Sequence, residues 1–322
     1  MKLQAGYKIT LFLALAITAA VLCTLPFLVI KKDMIYIYTQ DQIPSSAENG
    51  FIRELRRSGY NVIINSSSLP QKDAYGFWFK PPEYANEIEK SPAQLNFLYT
   101  QAYYPLEWKN KTKHPIVLTP YRLLYEHYMR SNIKSAMMVM GVNLADYYPI
   151  SVTKKYKVLY YGDNNQNSPI AEVLQNRKDA KFLGSYWNKV NKITETDEDG
   201  NITNAKILSA SKIVVIYHQP DSPQSHRVPE DIMQATASGA LVFSSPNPSV
   251  EAAYQDNVII YENQQDFQEK LDYYLKNYDK IQAKILAAQK VTIEQFSTQT
   301  TSRRFKELLD WLKENQIIKS ND

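Results

Sequence analysis

The 322-residue sequence has one cysteine, Cys23, and it lies inside an apolar run. The rest of the chain can therefore close no internal disulfide and holds no cysteine metal cluster. Net charge is also missing where it would matter. The formal charge of +4 is accounted for by Lys2, Lys8, Lys31 and Lys32; beyond them stand 33 basic side chains, 37 less those four, against 33 acidic ones. A neutral module lacks the electrostatic footprint of a nucleic-acid binder. The sequence contains no internal repeat, which sets aside solenoids and propellers.

Between Ile9 and Ile30 there is no charged side chain at all. At about 1.5 Å per residue that run reaches roughly the 30 Å of a bilayer's hydrocarbon core. A cleaved signal would carry an apolar region of about 7–15 residues and a small-x-small site. Here the run ends in Leu25-Pro-Phe-Leu-Val-Ile30 with Lys31 and Lys32 behind it, and Leu22 stands before Cys23, where lipoprotein processing needs a small residue. The expectation is one transmembrane helix within residues 1–32, holding a soluble module at a membrane surface. Basic residues flank both ends of the run, so the positive-inside rule leans only slightly toward a module outside.

The remaining residues suit two domains of ordinary size. Met34 to Thr39 is β-rich and apolar; Pro44-Ser-Ser opens an amphipathic helix through Phe51, Leu55 and Arg56 that stops at Gly59, and Val62 to Ile64 follows as a strand. That order is a βαβ unit. Tyr75–Phe79, Phe97–Tyr99 and Ile116–Leu118 read as further strands, Leu123–Met129 as a helix, and Ala136–Met140 as a strand closed by Gly141. A second unit starts after the polar stretch 146–157: Val158–Tyr161 as strand, a loop through Ser168, Pro169 in the first turn of a helix, then Ala180–Leu183. Thr194–Asn204 reads as an acidic connector with Gly200 at its tip. Ile213–Tyr217 and Leu241–Ser244 are strands around a helix, Pro229–Ser238, that Gly239 ends. From Gln264 the chain is helical, and Phe305, Leu308, Leu309, Trp311 and Leu312 stand at the spacing of a terminal helix that packs back across the molecule. The pattern predicts an α/β protein with parallel sheets, divided at residues 33–150 and 151–322 into two Rossmann-like domains facing a cleft.

The most informative stretch is HRVPEDIMQATASGALVFSSPNPSV, His226 to Val250, followed by DNVIIYENQQDFQEKLDYYL, Asp256 to Leu275. It resembles the C-terminal domain of the two-domain glycosyltransferases of GT-B architecture, most nearly their group-1 family. KVLYYGDNN, Lys157 to Asn165, is similar to the first strand and phosphate-facing loop of that domain, and FLGSYW, Phe182 to Trp187, to its second strand. GFIRELRRSGYNV, Gly50 to Val62, resembles the opening helix of the first domain; PIVLTPYRLLYEHYMRSNI, Pro115 to Ile133, with VMGVNLADYYP, Val139 to Pro149, resembles its last strand and the crossing.

The resemblance implies that the helix opening at Pro229 points its N-terminus and an acid at a nucleotide-sugar donor. Backbone N–H groups there suit a diphosphate, and a carboxylate can accept both ribose hydroxyls. Two alignments compete for the acid. The family's Glu, seven residues, Glu pattern falls on His226 and Gln234, neither of them Glu. A Val-x-Glu motif similar to that of fucosyltransferases falls on Val228 to Glu230. The implied donor set is Gly162, Asp163, Asn164, His218, Arg227, Glu230, Gln234 and Gly239, with Arg227 the nearest candidate cation. Tyr99 and Gln101 are candidates to face an acceptor, while Tyr160 and Tyr161 read as sheet packing and His114 and His127 as structural.

The expected function is transfer of a sugar from a nucleotide-sugar to a glycan or lipid-linked acceptor at a membrane. No cofactor or metal is implied, because helix dipoles and basic side chains meet the leaving diphosphate. The alternative is a GT-B-fold scaffold protein that has lost donor chemistry, as the missing Glu pair suggests. The donor chemistry puts the module in the compartment that holds nucleotide sugars, the cytoplasm if the source is bacterial.

Overall fold

The computed structural model describes residues 33–318 apart from 40, 42, 102–114, 163–167, 186–199 and 220–226, and no side chain of residues 200–203. The expected membrane span lies outside the described residues. Among the described ones, no helix is long and apolar enough to cross a membrane.

Two parallel sheets organise the chain. The first holds β1 (Met34–Tyr38), β2 (Asn61–Ile64), β3 (Tyr75–Phe79), β4 (Leu95–Tyr99), β5 (Pro115–Thr119) and β6 (Ser135–Met137), in the order β2-β1-β3-β4-β5-β6. The second holds β7 (Tyr156–Tyr161), β8 (Ala180–Leu183), β9 (Ser211–Ile216), β10 (Leu241–Ser244) and β11 (Ile259–Ile260), in the order β11-β10-β9-β7-β8. Strands such as β3 and β10 are buried along their whole length, which is why they read as unbroken apolar runs rather than alternating ones. In each sheet the order reverses beside its first strand, between β1 and β3 and between β7 and β9. Such reversals open a crevice at the carboxyl ends of the strands, where ligands bind in open α/β sheets.

The first helix, α1 (Ser46–Arg57), starts in a capping box. The Ser45 hydroxyl accepts from Glu48 N at 3.4 Å while Ser45 N donates to Glu48 Oε2 at 2.7 Å, satisfying two donors that a helix start leaves open. Its face of Phe51, Ile52 and Leu55 is buried on the first sheet. Two further helices, α2 (Ala85–Lys90) and α3 (Arg122–Arg130), follow β3 and β5. The second domain adds α4 (Pro169–Gln175), α5 (Gly200–Ser209), α6 (Glu230–Ala237), α7 (Pro248–Tyr254), α8 (Gln264–Lys276), α9 (Gln282–Gln295) and α10 (Thr298–Glu314). The last of these leaves the second sheet and packs on the first. Phe305 sets its ring centroid 4.8 Å from Phe97, 5.4 Å from Phe77 and 5.7 Å from Phe51, and burying such a ring contributes about 1.5–3 kcal/mol.

The structure departs from the sequence reading at two places. Pairing of β6 stops at Met137, because Val139 to Val142 turn away to form the crossing. There Val142 N donates to Phe296 O at 2.7 Å and Thr298 N to Val142 O at 3.0 Å. The connector expected over 194–204 gives way at Gly200 to α5, whose Ala205, Ile207 and Leu208 are buried in the second core; residues 194–199 lie outside the described set.

On the sheet edge away from the cleft, Lys154 Nζ donates to the carbonyls of Ser209, Ser211 and Gly239 at 2.8, 2.9 and 3.2 Å. Burial pushes this amine down to about 8, so at pH 7 it keeps the three protons that three carbonyls require. Lys154→Met is expected to strand those acceptors and cost about 2 kcal/mol of stability, read as a lower thermal midpoint at unchanged nucleotide affinity.

Candidate functional site

The first turn of α6 and the residues just before it meet the N-terminus of α1 and the ends of β3 and β4 across a small cleft open to solvent. Its second-domain wall includes Arg227, Val228, Glu230 and Met233; its first-domain wall includes Glu48, Phe79, Tyr99, Gln101 and Met140. Tyr99 and Gln101 both line the first-domain wall.

Glu230 opens α6, and Pro229 before it has no polar side chain to cap the helix; of the first-turn N–H groups that helix starts leave open, that of Ile232 donates to Asp231 Oδ1 at 3.0 Å. Glu230 is exposed at the cleft, and partial desolvation by the surrounding protein still raises its carboxyl above its ordinary value, with Asp231 and Glu48 adding to the shift; Arg227 and a bond from Gln234 pull the other way. The net direction is upward, because a charge taken from water loses more than one nearby cation returns. The Arg227 guanidinium lies 5.3 Å over the Tyr121 ring, its Nε has no hydrogen-bond partner among the described residues, and Asn247 Nδ2 donates to its carbonyl at 3.1 Å. The ring and the anchored backbone fix a cation beside the carboxylate.

Gln234 lies one turn further along the helix and is 8% exposed. Its Oε1 accepts from the Tyr161 hydroxyl at 2.6 Å and its Nε2 donates to Glu230 Oε1 at 3.0 Å. The two rival candidates for the ribose are therefore partners of one another. His218 sits past the end of β9, 7% exposed, with Nε2 3.1 Å from Asp231 Oδ1; its backbone N–H donates to Ser245 Oγ at 2.9 Å. It borders the same edge, but its ring is engaged by Asp231.

Gly162 follows β7 at φ 150° with its N–H donating to Leu183 O at 3.0 Å, at the carboxyl edge of the second sheet. Asp163, Asn164 and His226 lie outside the described residues, as does His114. Gly239 does not join the group. It leaves α6 at φ +75°, beside Pro149, about 13 Å of helix rise from Glu230, and its carbonyl belongs to Lys154 on the opposite edge. Its contribution is to end the helix in a conformation that favours glycine. His127 stays on α3, stacked edge-on against Tyr128.

Tyr161 reads in the sequence as sheet packing, and it does pack against the second core; its hydroxyl also donates to Gln234, the partner of Glu230. Nothing near it in the sequence signals this, because its partner Gln234 is 73 residues away.

Residues 168–310 match the family described as glycosyl transferase-like. No curated protein matches the chain by sequence. Among solved structures, the chain is similar to sucrose-phosphate synthase from Thermosynechococcus elongatus, with a TM-score of 0.60 at 10% identity over 88% of this chain and 100% of that one. It is similar to HepE of Anabaena in complex with UDP-glucose, with a TM-score of 0.61 at 10% identity over 87% and 100%. A glycosyltransferase from Rickettsia africae gives 0.59 at 13% identity over 88% and 99%. At such identities the likeness carries the fold, and it extends over both sheets. The chain has the two-sheet fold of the GT-B glycosyltransferases, and its residues 168–310 match the glycosyl transferase-like family.

Proposed function

We propose that this protein is a membrane-anchored glycosyltransferase that moves a sugar from a nucleotide-sugar bound on the second domain to a glycan or lipid-linked acceptor entering from the first. The observation that carries the reading is the pairing of a solvent-facing carboxylate, Glu230, with a fixed cation, Arg227, at a helix start inside the cleft. The ribose hydroxyls donate to Glu230. The diphosphate meets the N-terminus of α6 and Arg227, a pairing that needs no metal. Residues 163–167 and 220–226 contain no lysine or arginine, so Arg227 is the cation nearest the start of α6 in sequence. The uridine nucleotide in HepE supports a donor of this class.

Calorimetry of the full chain in detergent against UDP, GDP and UDP-glucose tests the reading. Micromolar to sub-millimolar binding of at least one is expected, and no heat with any of them at millimolar concentration overturns it. The anchor is tested separately: the full chain is expected to stay with membranes through alkaline carbonate, and its release would remove the span. In a bacterial host the module is expected on the cytoplasmic face, digested by protease in inverted vesicles and protected in intact cells.

A further inference from the structure

The bonds around Gln234 run in one direction. Only the amide's N–H₂ can face a carboxylate, so its Oε1 must face Tyr161, and Tyr161 must spend its single proton there, at 2.6 Å. The Tyr161 oxygen is then left to accept, and the Tyr147 hydroxyl lies against it; Asn204 in turn bonds Tyr147. From Tyr161 through Gln234 to Glu230, each group donates to the next, and the chain ends on the carboxylate. Bonds aligned in this way polarise one another. Burial holds the Tyr161 phenol well above its ordinary value, so it remains a donor at any working pH. Tyr147, which lies against Tyr161, follows Asp146, and Asp146 accepts from Ser46 of α1 and, at 2.8 Å, from Asn143 Nδ2.

We propose that Tyr161 is a positioning residue for the donor site: its hydroxyl fixes the Gln234 amide, and the amide holds Glu230 turned to the cleft in its ionised form. The donor role of Glu230 belongs to the reading given above; the positioning of its carboxylate does not depend on it. Without the Tyr161 hydroxyl the amide is free to turn, Glu230 loses a bond that favours its charged form, and the ribose meets a carboxylate of undefined orientation.

The experiment uses the full chain in detergent and has two arms. In the first, the infrared band of the protonated Glu230 carboxyl, assigned by its disappearance in Glu230→Gln, is followed against pH without ligand. Tyr161→Phe is expected to raise the midpoint by about one pH unit, and Gln234→Met, which cuts the same chain one link on, to raise it equally. An unmoved midpoint in both variants overturns the proposal. In the second arm, UDP affinity is measured as a cycle. Tyr161→Phe is expected to weaken binding about fivefold in the native background and not at all in the Glu230→Ala background, whereas an equal loss in both backgrounds means that Tyr161 acts on its own and overturns the relay. A native protein that binds no UDP, GDP or UDP-glucose removes the donor reading and leaves the first arm to decide the positioning role. The thermal midpoint of each variant separates either result from a loss of fold.

Discussion

Replacing Glu230 by alanine is expected to weaken nucleotide binding at least tenfold while the protein stays folded. A hydrogen bond to a charged group contributes about 1.5–3 kcal/mol, and 1.4 kcal/mol is a factor of ten. Alanine also leaves Arg227 without its neighbouring carboxylate, which would otherwise be balanced in the bound state. Glu230→Gln separates binding from stability. Partial desolvation raises the folded carboxyl above its ordinary value, so the folded protein holds this proton to higher pH than the unfolded chain does. Stability therefore falls as pH rises through the folded value, and the neutral amide escapes that fall. Glu230→Gln is expected to lose nucleotide affinity and yet melt no lower than the native protein at pH 7. A melting point that drops with affinity unchanged would move the donor contact to Gln234, and Gln234→Ala would then carry the larger loss.

The parts of this molecule that are legible in the sequence are those whose cause is local. Strands buried on both faces must be apolar throughout, and Ile213 to Ile216 or Leu241 to Phe243 can hardly be read otherwise. The start of α1 is announced by Pro44-Ser-Ser and its end by Gly59. Glu230 and Arg227 are legible because a helix start bearing an acid and a nearby cation is itself a chemical pattern. What is hidden depends on partners distant in the chain. Val139 and Met140 extend the β6 pattern in composition, but their backbone belongs to the crossing, whose partners lie beyond residue 295. Asn201 and Asn204 look like turn residues, and the burial of Ala205, Ile207 and Leu208 overrides that preference to form α5. Gly239 attaches to the donor in the sequence because it closes the motif; nine residues of helix geometry carry it to the other edge of the sheet. Tyr161 ends an apolar strand, and its hydroxyl finds a use only once β7 and α6 are side by side.

The larger structural effect is expected at Gly141, where the chain passes from the first domain to the second. A Cβ on this residue would run into the Phe296 carbonyl oxygen and the carbonyl group of Ser297, closer than real Cβ atoms come to anything. Both obstacles are backbone, so no side-chain rotation relieves them. That backbone is itself tied to the crossing: Val142 pairs in parallel with Ser297, Gly141 N donates to Thr301 Oγ1 at 3.0 Å, and the same hydroxyl donates to Val139 O at 2.9 Å. Making room means separating these bonds, and with them the contact of α10 that brings Phe305 and Leu309 onto the first sheet. Overpacking alone costs about 1–3 kcal/mol, and losing the crossing bonds adds about 1 kcal/mol for each. Gly141→Val is therefore expected to cost about 4 kcal/mol or more, enough to lower the thermal midpoint by roughly 10 °C in a protein of this size. Gly59 provides the contrast. It has φ +94°, but no neighbouring atom lies within 4 Å of where its Cβ would stand, so Gly59→Ala should cost only the conformational penalty of about 1–2 kcal/mol. Equal losses at the two positions would show that the crossing has room to give, and that the junction between the domains is held by the α10 contacts alone.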